Sequence, residues 1–283
     1  MRHHLLAAII LSLTIPGAAR AALPEVVVSI MPFHSIIAAV MDGIGTPSLI
    51  VKGAASPHDY ALRPSDAAML SRADVVFWVG EDLELFLVKP LAALAEEAQV
   101  VSLSALLSND GQDPHIWLDP TLASAMVHII TNTLVRIDPA NASFYKINGY
   151  GLQRNLDILD NELAAVLAPV SDLPYAVFHD AYSHFEQRYS LNRVAAVTVN
   201  PQHKPSAKRI TEIRETMAIH GARCLFTESR STPALAATLV EDTAVRLGVL
   251  DPMGVGLEPG PDAYFVLMRG LAGSFRDCLL ATE

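Results

Sequence analysis

The chain has 283 residues, with 20 Lys and Arg against 30 Asp and Glu and a formal charge of −10 at pH 7. That balance excludes nucleic acid as a partner, because a phosphate backbone calls for a basic face. An acidic surface suits the collection of cations, but it is too common among soluble proteins to indicate that function by itself.

The N-terminus carries Arg2, the apolar run Leu5-Leu6-Ala7-Ala8-Ile9-Ile10-Leu11 and then Ala19-Arg20-Ala21, which has the form of an A-x-A cleavage site. Residues 1–21 read as a secretory signal peptide, so the mature chain is expected to start at Ala22 and to lose His3 and His4. Losing Arg2 and Arg20 with it takes the charge from −10 to about −12. No later stretch reaches about 18 uninterrupted apolar residues, so no membrane span is expected. The remaining length predicts two lobes, with one large α/β domain as the alternative.

In chain order, short β-branched runs at 26–30, 49–51, 75–79 and 100–103 are separated by longer helical patterns. The style repeats at 175–178, 194–199, 224–227 and 245–250. Such alternation predicts βα units around mostly parallel sheets, hence an α/β fold of two lobes. Between the halves, Leu152, Leu156, Leu159, Leu163 and Leu167 recur at steps of three and four, with Arg154, Asp157, Asp160 and Glu162 between them. This predicts one long amphipathic helix, with Asn141 or Ser143 as its cap and Pro169 at its end. Gly149 and Gly151 are the positions at which it would break. The expected boundaries are 22–139 for an N-terminal α/β lobe, 140–168 for the linking helix and 169–283 for a C-terminal α/β lobe. The segment Asn200-Pro201-Gln202-His203-Lys204-Pro205 reads as a turn.

Cys224 and Cys278 are the two cysteines. An even pair in an oxidising compartment predicts a disulfide, with two buried free thiols as the alternative. Loop entropy would give such a bridge roughly 4 kcal/mol.

Three histidines stand in distinctive settings: Pro57-His58-Asp59-Tyr60, Asp113-Pro114-His115-Ile116-Trp117 and Phe178-His179-Asp180. Neutral imidazole suits zinc, copper, nickel and iron, whereas carboxylates suit magnesium, calcium and manganese, so three imidazoles lean toward zinc. His179 directly follows an apolar strand and so lies at the carboxyl end of a parallel sheet, where α/β folds build ligand crevices. Asp251 follows Val249-Leu250 in the same way and is the candidate for a fourth, tetrahedral ligand. Of the other mature histidines, His128 and His220 fall in helical patterns, His184 is badly spaced from His179, and His203 reads as a loop residue. His34 is a reserve candidate. Asp59, Asp119 and Asp180 adjoin the candidate ligands, with helix caps or exposed acids preferred to ligand-orienting roles. Glu228, after the strand ending at Thr227, is a further cleft candidate.

The ordered set resembles the zinc-specific solute-binding proteins of ABC importers, the ZnuA type. It comprises Ser56 to Asp66, Ala73 to Gly80, His115-Ile116-Trp117-Leu118-Asp119-Pro120, Phe178 to Tyr182, Val199-Asn200-Pro201, Leu250 to Gly254 and the C-terminal Cys278, and it covers almost the whole mature chain. The resemblance implies two α/β lobes joined by a long helix, with zinc held in the cleft between them. It places three zinc-binding imidazoles at His58, His115 and His179, with Asp251, directly or through water, in the fourth position. Manganese-binding relatives place a carboxylate where this chain has His179, which supports zinc. Many zinc-type relatives carry a long loop of histidine and acidic residues before the second ligand, whereas here only seven residues separate Leu107 from His115. One tight site without an auxiliary loop site is therefore expected.

The resemblance implies a monomeric periplasmic receptor that binds Zn2+ as cargo and delivers it to an ABC permease with its cytoplasmic ATPase, a metal chaperone being a further candidate partner. The chain has no G-x-x-x-x-G-K-[ST] loop of its own. The competing readings are a manganese or iron receptor of the same family and, from another class, a secreted zinc hydrolase, although no H-E-x-x-H motif accompanies the histidines. Proton competition predicts weaker metal binding toward pH 5.

Overall fold

The computed structural model describes residues 23–107, 112–199, 205–228 and 233–281. The expected signal peptide, His203 and part of the short loop before His115 lie outside them.

The first half alternates β1 (Val26–Val28), α1 (Met31–Val40), β2 (Ser48–Leu49), α2 (Pro64–Leu70), β3 (Val75–Trp78), α3 (Leu85–Leu94) and β4 (Gln99–Ser102). Two long helices follow, α4 (Pro120–Ile137) and α5 (Ala142–Leu167). The second half alternates β5 (Tyr175–His179), α6 (Ser183–Tyr189), β6 (Arg193–Thr198), α7 (Ala207–His220), β7 (Cys224–Thr227), α8 (Pro233–Val240), β8 (Arg246–Val249) and α9 (Ala263–Leu280). Each half forms a four-stranded, all-parallel sheet, ordered β2-β1-β3-β4 in one and β6-β5-β7-β8 in the other. The expected α/β fold with two parallel sheets is what the chain adopts. In each half the chain turns back across its first strand, so β1 and β3, and again β5 and β7, flank a crevice at their carboxyl ends.

The linking helix runs unbroken for 26 residues, about 39 Å at 1.5 Å per residue. Leu152, Leu156, Leu159, Leu163 and Leu167 form its buried stripe. Gly149 does not break the helix, because it serves packing: a Cβ there would lie 2.5 Å from Oγ1 of Thr131 on α4. Asn141 precedes the helix without capping it, since its amide donates to Asp138 at 2.7 Å. Pro169 lies in the 3-10 turn Ala168–Val170 that follows the helix.

One contiguous core joins β1, α1, α4, α5 and α9. A second cluster, including Phe178, Leu225, Ile213, Met217 and Leu239, fills the face of the second sheet under α7 and α8. Helix α9 follows the second sheet in sequence, yet it packs on α5 and α1 as well as on β8. Buried hydrogen bonds tie its start to the first half: Tyr264 N–H donates to Ser35 Oγ at 2.8 Å, and its hydroxyl to the Trp117 carbonyl at 2.7 Å. Trp117 Nε1 in turn donates to the Pro252 carbonyl at 2.7 Å. Cys224, opening β7, is disulfide-bonded to Cys278 of α9 with the two Cα atoms 6.4 Å apart. Among the described residues no helix is long and apolar enough to cross a membrane.

Candidate metal centre

His58 lies in a turn between β2 and α2, His115 immediately precedes the 3-10 turn Ile116–Leu118, and His179 is the last residue of β5. The fold brings the three together from remote parts of the chain. Their ring centroids are 5.0 to 5.6 Å apart, and one ring nitrogen from each lies within 4.8 Å of the other two. His115 and His179 are buried and His58 is half-buried.

Carboxylates fix the orientations of two of the rings. His115 Nδ1 lies 2.6 Å from Asp113 Oδ1, and His179 Nδ1 lies 2.7 Å from Glu228 Oε1. A carboxylate only accepts, so each Nδ1 carries a proton, and in the neutral ring Nε2 is then the nitrogen with a lone pair to offer. Nε2 of His179 and Nε2 of His58 are buried with no hydrogen-bond partner. Two buried ring nitrogens left without partners are costly unless something fills the space between them. A tetrahedral zinc with Zn–N near 2.0–2.1 Å needs nitrogens about 3.4 Å apart, a separation inside the 4.8 Å span of the cluster.

The electrostatics favour a cation. Burial first, then the proximity of His115 and His179, pushes the His58 imidazole down to about 3, against a smaller opposite effect of Asp113. Burial pushes the Asp113 carboxyl up, but the charge and hydrogen bonds of His115, helped by His184, outweigh it and hold the group well below the usual carboxylate range. A neutral His58 imidazole beside an ionised Asp113 carboxylate suits a cation.

Asp251 is outside the cluster of converging donor atoms. Its Oδ1 accepts the N–H groups of Met253 and Gly254 at 3.0 and 2.9 Å, and its Oδ2 accepts Val255 N–H at 2.5 Å. Burial raises its pKa and nearby Glu228 adds to this, while those N–H groups offset it. Of about four lone-pair sites on a carboxylate, the three bonds leave one, on Oδ2.

The remaining candidates fall elsewhere. His34 Nε2 bonds the Pro47 carbonyl at 3.0 Å, away from the cluster. His184 Nε2 donates to the Asp113 carbonyl at 2.7 Å. Asp119 caps α4 through Thr121, Asp180 pairs with Arg193, and Asp59 is exposed. Sequence reasoning did not single out Asp113. Its position two residues before a candidate ligand, across Pro114, was the available signal, because that spacing folds into the turn in which Oδ1 accepts His115 N–H at 3.0 Å.

The profile of a family described as "ZnuA: Zinc-uptake complex component A periplasmic" matches residues 26–278. The high-affinity zinc uptake system protein ZnuA of Brucella abortus is 39% identical over 304 residues, covering 90% of this chain and 91% of its own. The protein of the same name from Yersinia pestis is 34% identical over 288 residues, covering 90% and 91%. A crystal structure of a ZnuA superposes with a TM-score of 0.80 at 22% identity, covering 91% of this chain and 100% of that one. At that identity the superposition speaks for the fold alone.

Proposed function

Because the chain belongs to the ZnuA family of periplasmic zinc-uptake components, we propose that it captures Zn2+ at His58, His115 and His179 and hands it to an ABC permease driven by a cytoplasmic ATPase. The observation that carries this reading is the convergence of three imidazole nitrogens within 4.8 Å, with the rings of His115 and His179 turned toward the centre by carboxylates. Three nitrogen donors of this kind match zinc better than manganese, which prefers oxygen. Asp251 supplies the fourth position through its remaining Oδ2 lone pair, directly or across a water. A site closed by four groups holds its metal as cargo, and we read the protein as a receptor with no catalytic role.

In this reading residues 1–21 direct secretion and are removed. Residues 22–139 and 169–283 form the lobes and 140–168 the link. Each copy carries a whole donor set, so the receptor works as a monomer, with a metal chaperone as a candidate zinc donor.

Competition with a chromogenic chelator tests the reading on the mature protein and on His58→Ala, His115→Ala, His179→Ala and Asp251→Ala. One tight zinc equivalent that is lost with each histidine change and weakened by the aspartate change is expected. Binding that survives all three histidine changes would remove the metal site, and metal-dependent ester or peptide hydrolysis would favour the enzyme.

A further inference from the structure

We infer that Asp113 is a positioning residue that makes the grip of His115 on zinc depend on the second half of the molecule staying in place. The inference rests on the zinc-receptor reading and extends it from the ligands to what holds them.

Asp113 has four hydrogen bonds, and they divide between the halves. On the first side, Oδ1 accepts both the backbone N–H and the ring Nδ1–H of His115, at 3.0 and 2.6 Å. On the second side, Oδ2 accepts Ser183 N–H at 3.0 Å, and the Asp113 carbonyl accepts His184 Nε2–H at 2.7 Å. Ser183 opens α6, only four residues beyond the ligand His179 that ends β5. The carboxylate side chain is 9% exposed. It thus closes a loop from ligand to ligand, running from the His115 ring through Asp113 to α6 and back along the chain to His179.

The two sides of this strut depend on each other. While Ser183 and His184 hold the Asp113 carboxylate and its peptide, Oδ1 has one direction available, which aims His115 Nε2 at the metal. If the halves part, both second-side donors leave together and the carboxylate can rotate about its side-chain bonds. The imidazole then loses the acceptor that fixes its tautomer and tilt, a kind of partner whose removal weakens metal sites by about 10–100-fold. Zinc retention and the seating of α6 therefore rise and fall together. A purely local turn former would need only the two bonds to His115.

The test follows zinc release into excess chelator from the mature protein, with the ligand-field spectrum of the cobalt-substituted protein and the unfolding temperature of the metal-free protein as companions. In Asp113→Asn one amide oxygen can serve His115 or Ser183 but not both, so release should be about 10–100-fold faster, with shifted cobalt bands and one zinc equivalent retained. His184→Phe touches neither metal nor ligand, yet it should speed release several-fold, while His184→Gln, which keeps a donor, should restore the slow rate. The double variant Asp113→Asn/His184→Phe should be no faster than Asp113→Asn alone, because both changes cut one strut. Release from His184→Phe at the wild-type rate would overturn the inference, whether or not its unfolding temperature drops. If Asp113→Asn does not fold, the two His184 variants decide the matter. Failure of the wild type to take up one zinc equivalent would instead overturn the receptor reading on which the inference stands.

Discussion

Glu228 accepts the Nδ1–H of His179 at 2.7 Å from just past the end of β7, the strand beside the one that His179 terminates. It also accepts the Tyr182 hydroxyl at 3.3 Å. His179 and its acceptor thus flank the crevice where the second sheet reverses its strand order, and parallel pairing sets their separation. Glu228→Ala should weaken zinc binding by about 10–100-fold, and Glu228→Gln by less, since an amide oxygen still accepts the ring proton. Equal affinities for wild type and Glu228→Ala in a chelator competition would show that the His179 ring needs no such partner.

His58 should remain neutral far below the usual histidine range, with its imidazole pushed down to about 3 chiefly by burial. In the unfolded chain it takes up a proton near pH 6.5. Between those values the unfolded state binds the extra proton, so on this account metal-free stability is full above pH 6.5 and falls as pH drops toward 3. Urea midpoints from pH 7 to pH 4 should decline less steeply in His58→Ala than in wild type. An inflection near pH 6.5 for the His58 ring resonance of the metal-free protein would contradict the prediction. Proton competition for zinc through His58 itself is likewise deferred toward pH 3.

Glu84 is fully buried, and its pKa is pushed up to about 7 by that burial, against the opposing pull of the nearby Ser29 hydroxyl and of the Val79 and Gly80 N–H groups. Its Oε2 accepts Val79 N–H at 2.6 Å, whereas Oε1 is among the buried atoms without a partner. The folded protein therefore holds a proton between about pH 4.5 and 7 that the unfolded chain has lost, and stability from this group declines as pH rises through 7. Glu84→Gln should unfold at a higher temperature than wild type at pH 8, with the gap shrinking at pH 5. A gap independent of pH would mean that the carboxyl is not the source.

Gly149 and Thr131 form a matched pair. Alanine is the better helix former by about 1 kcal/mol, but a Cβ at 149 would meet Thr131 Oγ1 at 2.5 Å and its Cβ at 3.5 Å. Gly149→Ala should therefore destabilise by about 1–3 kcal/mol. In a Thr131→Ala background only the 3.5 Å contact remains, and the same change should become neutral or stabilising. Chemical unfolding of the four proteins reads the sign reversal; an identical effect of Gly149→Ala in both backgrounds would rule out the clash.

The sequence made the three histidines visible because each follows an apolar run or occupies a proline-marked turn, and parallel sheets collect such positions at one end. The strands were visible for the same reason that they form, since β-branched runs such as Val26-Val27-Val28 bury both faces. Less visible was how each carboxylate would spend its lone pairs. Asp251 lies just past β8 much as His179 lies at the end of β5, yet the left-handed turn at Gly254, with φ +72°, curls three N–H groups onto it. Glu228 is marked in sequence only as an acid past a strand end and Asp113 not at all, and both find their partners only when distant chain segments meet. Gly149 looked like a weak point in the helix because propensity counts a missing side chain as a loss, whereas the neighbouring helix needs that space.

The return of α9 to α1 and α5 has a consequence for how the molecule is made. The two sheets repeat one strand order, which invites the thought that each half could arise and mature separately. Yet Ser35 and Trp117, both in the first half, receive their buried hydrogen bonds from Tyr264 at the start of α9, beyond the second sheet in sequence. A nascent chain emerging in order would present His58 and His115 long before their housing exists, and the first sheet would wait, half-covered, for α9. The two sheets are thus a repeat in strand order and a single unit in assembly, because the first half is covered only once α9 arrives.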